Sequence, residues 1–145
     1  MSDTVKVSCT HCGATNNYPR DAAGKKVVCG KCRNALPVPG DVLEIPPDKA
    51  DILIRQAGLP VLADFYSPTC APCHAMHPVV ERLAKRKAGE LMVLRLNVDL
   101  MPEAASNLGI HGVPTFIIFS RGSERGRVSG AMPETDLSLW VASRM

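Results

Sequence analysis

Six cysteines fall into three pairs that share one spacing, Cys-x-x-Cys, and carry most of the reactive chemistry in the chain. The pairs are Cys9/Cys12, Cys29/Cys32 and Cys70/Cys73. Residues 1–6 contain no apolar signal core, so we expect a cytoplasmic protein. In that reducing compartment such pairs indicate catalysis or metal binding rather than a structural disulfide framework.

The stretch around the third pair predicts a buried strand followed by a helix. Residues 61–66 form a short, mostly apolar run without a turn residue, as expected for a strand covered on both faces. Residues 67–69 break this run. Beyond Ala71 the apolar residues recur at helical spacing, at Met76, Val79, Val80, Leu83 and Ala84. Cys70 is therefore expected at the amino-terminal end of a helix.

A cysteine pair in that place can exchange electrons with disulfides. The first turn of a helix leaves N–H groups unpaired and its dipole favours negative charge, so a thiolate at Cys70 is stabilised. Cys70 would attack a substrate disulfide, and Cys73 would resolve the mixed disulfide. Two alternatives stay open at this point. The pair could be half of a metal site, or a haem attachment site, because residues 70–74 match Cys-x-x-Cys-His.

The first two pairs have the spacing of a metal site with four thiolate ligands, namely Cys9, Cys12, Cys29 and Cys32. Gly13 and Gly30 are expected to ease the turn at each pair. Few large apolar residues accompany them, so residues 1–37 could hardly fold without a metal. We predict a small zinc ribbon with one structural zinc ion. Rubredoxin-like iron and two redox-labile cysteine pairs are the alternatives.

The charge balance gives no reason to expect nucleic acid as a partner. The formal net charge is +3, and four thiolates on one zinc ion would change it to +1, from 3 − 4 + 2. Four of the basic residues in the ribbon lie close together in sequence, namely Lys25, Lys26, Lys31 and Arg33. They form either a solvated face around an anionic metal site or a docking face for nucleic acid or protein. No interleaved aromatic set supports base stacking.

The remainder of the 145 residues has room for one ordinary domain. We expect residues 38–47 to be a linker with a possible edge strand at 43–45, and residues 48–145 to form the second domain. No apolar run is long enough to span a membrane. The expected strands cover residues 61–66, 91–98, 115–119 and 126–129.

The expected helices lie between these strands. The first covers residues 48–57, with Asp48 as its cap and Gly58 as its stop. The second begins at Ala71 and is expected to kink at Pro78. The third covers residues 102–108, and the last begins at Pro133. The order β-α-β-α-β-α-β-β-α favours an α/β fold, with a mixed sheet and helices on both faces.

Residues 41–145 resemble a thioredoxin. The resemblance rests on three segments in order: residues 63–66 (ADFY), 70–73 (CAPC) and 112–115 (GVPT). Residues 1–37 resemble the zinc ribbon that precedes the domain in thioredoxin 2-type proteins. The resemblance implies a thioredoxin fold preceded by a zinc ribbon. It also implies a thiol–disulfide oxidoreductase that reduces protein disulfides.

The family resemblance assigns catalytic roles to four residues. Cys70 matches the nucleophile and Cys73 the resolving thiol. Asp64 matches the buried carboxylate that helps to deprotonate Cys73, and an acid in an apolar strand should have a raised pKa. Pro114 matches the cis-proline opposite the sulfurs. The alternatives are a solvent-facing carboxylate at position 64 and an ordinary trans proline at position 114.

The resemblance also implies a substrate surface around the dithiol, made of Thr69, Ala71, Pro72, Gly112, Val113 and Gly130. The backbone of Val113 would pair with an extended substrate strand. The implied partners are disulfide-containing protein substrates and a thioredoxin reductase as electron donor, with no membrane partner.

Five residues depart from the usual family pattern. Thr69 and Tyr66 stand where tryptophan is usual, Ala71 where glycine is usual, His74 where lysine is usual, and Arg95 where the acid usually has a buried lysine partner. These departures bear on the reduction potential and the substrate range, and Thr69 opens the surface beside the nucleophile. We expect a potential on the reducing side of the family's range.

Two other functions remain as alternatives. In one, the protein is a zinc-dependent binding module that uses the thioredoxin domain as a redox-switched platform. In the other, it is a redox sensor whose ribbon releases zinc on oxidation.

Overall fold

A five-stranded mixed sheet lies at the centre of the protein. The computed structural model describes residues 4–9, 11–19, 27–36 and 40–145. The sheet contains β3 (Val42–Glu44), β4 (Val61–Tyr66), β5 (Met92–Asn97), β6 (Thr115–Ser120) and β7 (Ser123–Ser129). Their order is β3-β5-β4-β6-β7. β3 and β4 run parallel to β5, whereas β6 is antiparallel to β4 and to β7.

Helices cover both faces of this sheet, which confirms the predicted α/β architecture. They are α1 (Pro47–Gln56), α2 (Ala71–Arg86), α3 (Pro102–Asn107) and α4 (Glu134–Arg144), with a short 3-10 turn at Val98–Leu100. Leu53 of α1 belongs to the core cluster on one face. Val80 of α2 and Leu137 of α4 belong to the cluster on the other. No helix in the described ranges is long and apolar enough to cross a membrane.

β4 is the central strand and is buried along its whole length, as its apolar run predicted. Successive residues of a strand point to opposite faces of the sheet. Val61, Ala63 and Phe65 belong to the α1 cluster, while Leu62 belongs to the cluster covered by α2 and α4. Asp64 shares the parity of Leu62, so it faces α2, the helix that begins at the third cysteine pair.

The amino-terminal cysteine segment forms a hairpin that packs on α1. β1 (Thr4–Ser8) and β2 (Thr15–Pro19) pair antiparallel, and a further bridge joins Val28 and Ala35. The Gly58 N–H donates to the Lys6 carbonyl oxygen at 2.9 Å, and the Ser8 hydroxyl donates to the Gln56 side-chain oxygen. The ribbon and the sheet therefore share one continuous core, joined through α1.

The same core cluster contains four ribbon residues, Val7, Cys9, Cys29 and Leu36. Residue 37 at the end of the expected ribbon, residues 38 and 39 of the expected linker, and Lys25 and Lys26 of the expected basic face lie outside the described residues.

The predicted start and cap of the first helix are wrong. α1 begins at Pro47, and the capping residue is Pro46, which makes no side-chain cap bond. Asp48 lies inside the first turn. Proline suits the first helical position because its fixed φ is already helical. The helix ends at Gln56 with Ala57 as its C-cap residue, so it stops before Gly58 as predicted.

Four of the five predicted strands have different ends in the structure. β5 is one residue shorter than predicted at each end, and β6 is one residue longer. The edge strand covers Val42–Glu44 rather than residues 43–45. The last strand begins at Ser123, three residues before Gly126, because it continues around a bulge in its pairing with β6. α2 includes Pro78 within one helix, Ala71–Arg86.

Candidate active site and candidate metal site

The two sulfurs of the third cysteine pair meet at the start of α2. Cys70 is the N-cap residue, and its Sγ accepts a hydrogen bond from the Cys73 N–H at 3.2 Å. The two cysteines are disulfide-bonded, with a Cα–Cα distance of 5.2 Å. Cys70 is half-buried, whereas Cys73 is 2% exposed. An external disulfide can therefore reach Cys70 directly but cannot reach Cys73.

A proline loop lies against the outer sulfur. The Val113–Pro114 peptide bond is cis, as predicted. Cys70 Sγ lies 3.6 Å from the Val113 carbonyl oxygen. The Gly130 N–H donates to the Pro114 carbonyl oxygen at 2.8 Å, and the Thr115 hydroxyl donates to the Gly112 carbonyl oxygen at 2.6 Å. The loop after β7 thus supports the proline loop that faces the dithiol.

The predicted substrate surface is brought together around this disulfide. Gly112, Val113 and Gly130 come from the two loops just described. Thr69, Ala71 and Pro72 flank Cys70 in sequence, and all three are exposed. Tyr66, Ser67 and Cys73 lie beneath the surface. The arrangement leaves the backbone next to Pro114 beside the reactive sulfur.

Asp64 is buried in the central strand β4, so it is not a solvent-facing edge carboxylate. It is 1% exposed and pairs across the parallel strands with Arg95. Arg95 Nε lies 3.7 Å from Asp64 Oδ2. Burial raises the pKa of Asp64 to about 7, and the positive charge of Arg95 opposes this increase. The carboxyl group can therefore gain or lose a proton near neutral pH.

Arg95 is itself almost enclosed, at 9% exposed. Its guanidinium carbon lies 3.8 Å from the centre of the Tyr66 ring, a cation–π contact that offsets part of its desolvation. Asp64 Oδ1, Arg95 Nε and Arg95 Nη2 have no hydrogen-bond partner among the described residues. This polar cluster lies on the sheet face that α2 covers.

Hydrogen bonds that no sequence motif predicted join the loop before Cys70 to the segment after the carboxyl end of β5. The Ser67 hydroxyl donates to Asp99 Oδ2 at 3.0 Å and lies 3.2 Å from the Thr69 hydroxyl. His74 Nε2 lies 2.6 Å from the Pro68 carbonyl oxygen. One signal could have revealed the Asp99 contact. β4 and β5 are parallel neighbours, so the polar residues that follow them meet at one sheet edge.

The four ribbon sulfurs are close enough to bind one metal ion. All lie within 4.8 Å of one another. Cys9 Sγ is 3.5 Å from Cys32 Sγ, and Cys12 Sγ is 3.7 Å from Cys29 Sγ. Tetrahedral zinc with about 2.3 Å bonds to sulfur requires sulfurs about 3.8 Å apart. The four thiols therefore fit a tetrahedral zinc or iron centre.

Hydrogen bonds to sulfur support thiolate ligands in the ribbon. The His11 N–H donates to Cys9 Sγ and the Lys31 N–H to Cys29 Sγ, both at 3.4 Å. The pKa of Cys29 is lowered to about 6, chiefly by the Cys32 N–H and then by the Asn16 amide. Donors placed in this way favour the negatively charged sulfur that a metal needs.

The two cysteine turns repeat one backbone pattern. The Gly13 N–H donates to the Cys9 carbonyl oxygen at 2.9 Å, and the Arg33 N–H donates to the Cys29 carbonyl oxygen at 3.0 Å. Gly13 and Arg33 both adopt positive φ, at 78° and 68°. The expectation that Gly30 eases the second turn is therefore wrong, because Arg33 takes the left-handed conformation.

Comparison with known proteins matches most of this chain to one protein family. The family model described as Thioredoxin matches residues 41–143. Thioredoxin M4, chloroplastic, of Arabidopsis thaliana is 32% identical over 126 residues, covering 87% of this chain and 65% of that protein. The chain thus spans just under two thirds of that relative. Thioredoxin C-3 of Corynebacterium nephridii is 26% identical over 139 residues, covering 96% of this chain and 94% of its own length.

A solved structure shows the same fold. A single-residue mutant of a thioredoxin from Halobacterium salinarum NRC-1 superposes with a TM-score of 0.66 at 32% identity, covering 74% of this chain and 93% of the other. A dithiol at the amino end of the helix after the central strand defines a protein-disulfide oxidoreductase domain. The chain belongs to the thioredoxin family.

Proposed function

We propose that this protein reduces disulfides in other proteins through Cys70 and Cys73. The observation that carries the proposal is the unequal exposure of the two bonded sulfurs. Cys70 is accessible at the helix start beside Val113, while Cys73 is buried behind it. A buried resolving thiol is protected from substrate and can react only with its neighbour.

The reaction begins with the reduced protein. The Cys70 thiolate attacks one sulfur of a substrate disulfide, an S–S bond forms to Cys70, and the other substrate sulfur leaves as a thiolate. The Cys73 thiolate then attacks Cys70 Sγ, releasing the second substrate thiolate and forming the Cys70–Cys73 disulfide. Two electrons pass from the protein to the substrate, and protons from solvent convert the product thiolates to thiols.

Asp64 is proposed as the proton acceptor for Cys73. Its pKa of about 7 suits transfer near neutral pH, and strand parity places it on the sheet face that α2 covers. The proton would travel through water. Pro114 and the Val113 backbone are proposed to position the substrate strand beside Cys70, with Thr69, Ala71, Pro72, Gly112 and Gly130 around it.

The ribbon is proposed to hold one structural zinc ion through Cys9, Cys12, Cys29 and Cys32. We propose residues 1–37 as the ribbon, 38–47 as a linker that includes the edge strand, and 48–145 as the thioredoxin domain. A bound zinc ion would cross-link the two cysteine turns of the ribbon. Four free thiols at ligand spacing suit a reducing compartment, so the proposal includes a cytoplasmic location and a thioredoxin reductase as donor.

The test is turnover of insulin disulfides with dithiothreitol as the donor. The intact protein should accelerate reduction, and Cys70→Ser should remove the acceleration. Cys73→Ser keeps the nucleophile but lacks the resolving thiol, so its reduced form, freed of dithiothreitol, should accumulate a covalent adduct with substrate. Full activity in Cys70→Ser would overturn the mechanism. Metal analysis of the same sample should find one zinc per chain.

A further inference from the structure

A groove beside the dithiol is lined in part by residues to which the proposed function gives no role, among them Asp99. Its volume is about 260 Å³, and its lining includes Ser67, Asp99, His111, Gly112 and Val113. It adjoins the reactive sulfur, because the carbonyl oxygen of Val113 lies 3.6 Å from Cys70 Sγ. A substrate strand that pairs with Val113 would therefore lie beside this groove.

The groove has the size of a side chain rather than of a cofactor. Small-molecule pockets generally measure about 300 to 1,000 Å³, above the volume found here. Extended peptides present side chains alternately to either side. A residue near the substrate cysteine would therefore point one side chain into the groove while its backbone lies along Val113.

Asp99 places a fixed negative charge at the rim. Its N–H donates to the Asn97 side-chain oxygen at 2.9 Å, and its Oδ2 accepts from the Ser67 hydroxyl at 3.0 Å. A carboxylate offers about four lone-pair directions, so acceptor capacity remains for a ligand. Asp99 is exposed and is the one carboxylate among the described residues that line the groove.

We propose that this groove selects substrates with a lysine or arginine close to the reactive cysteine, and that Asp99 is the residue that determines this preference. The proposal rests on the disulfide reductase function proposed above. Asp99 contacts the substrate cation through lone pairs that its hydrogen bond from Ser67 leaves free. The preference concerns substrate choice and not the sulfur chemistry, which the dithiol carries out.

The test uses three symmetrical peptide disulfides that differ at one position beside each cysteine, which is Lys, Gln or Glu. The second-order rate constant of each peptide with fully reduced protein is measured by acid quench and chromatography. Each value is divided by the rate constant of the same peptide with dithiothreitol, a small dithiol that has no carboxylate. This division removes differences in the intrinsic reactivity of the peptide disulfides.

The Lys peptide should react about three-fold or more faster than the Glu peptide after this correction, as expected for one exposed ion pair. High salt should shrink the ratio. Asp99→Asn removes the charge but keeps a side-chain oxygen for Ser67, so it should bring the ratio close to one. Ser67→Ala and His111→Gln keep the carboxylate, so both should preserve the ratio.

Equal corrected rates for the three peptides would overturn the proposal, as would a ratio that survives Asp99→Asn. A ratio lost equally in Ser67→Ala and Asp99→Asn would show that loop position decides the preference, which also overturns it. If the protein reduces neither insulin nor the Gln peptide, the proposed disulfide reductase function is overturned instead. The two failures are thus distinguishable.

Discussion

Asp64→Asn should stabilise the oxidised protein, and the gain should grow with pH. Burial raises the folded-state pKa of Asp64 from 3.8 to about 7. Between these values the folded protein holds a proton that the unfolded chain releases, so stability falls as pH rises from about 4 to about 7. A pKa shift of one unit corresponds to about 1.4 kcal/mol. The shift from 3.8 to about 7 therefore lowers the free energy of unfolding by about 4 kcal/mol at high pH. Asparagine cannot ionise and avoids this loss.

The assay is urea unfolding of oxidised wild type and Asp64→Asn at several pH values. Relative to its value at pH 4, the difference in unfolding free energy should rise to about 4 kcal/mol above pH 7. Asp41→Asn, the same change at an exposed residue, should alter stability by less than about 0.5 kcal/mol at each pH. A difference for Asp64→Asn that does not vary with pH would refute the reasoning.

Three further predictions follow from the contacts of the core. Arg95→Met removes the cation that opposes protonation of Asp64, so carbon NMR should find the Asp64 pKa above that in wild type; an unchanged or lower value would contradict this. Gly58→Ala places a Cβ 2.9 Å from Lys6 N, so it should cost about 1 to 3 kcal/mol by urea unfolding. Gly112→Ala is the control for Gly58→Ala, because its new Cβ meets nothing within 4 Å. An equal loss of unfolding free energy in both variants would argue against the packing of the ribbon on α1. A zinc chelator should lower Tm by about 5 °C or more, reversibly on adding zinc, because the ribbon shares the core; an unchanged Tm would contradict the metal's structural role.

Strong local signals in the sequence predicted most of the fold. The buried run of β4, the helix after Cys70 and the spacing of the ribbon cysteines each follow from periodicity or ligand geometry. The GVPT segment predicted the cis bond at Pro114 only through family resemblance, because sequence physics alone favours trans.

The remaining features depend on contacts between distant segments. Ser67 and Asp99 are 32 residues apart, and only the pairing of β4 with β5 brings them together. The docking of β1 on α1 depends on Gly58 approaching Lys6, which no local pattern indicates. The positive φ at Arg33 is equally hidden, because arginine has no general preference for that conformation.

Trapping a mixed disulfide tests the central claim most directly. Reduced Cys73→Ser protein, incubated with a peptide disulfide and analysed by mass spectrometry, should gain one half of the peptide, attached at Cys70. A second variant with both Cys70 and Cys73 changed to serine should gain none. An adduct on a ribbon cysteine, or none on Cys70, would contradict the account.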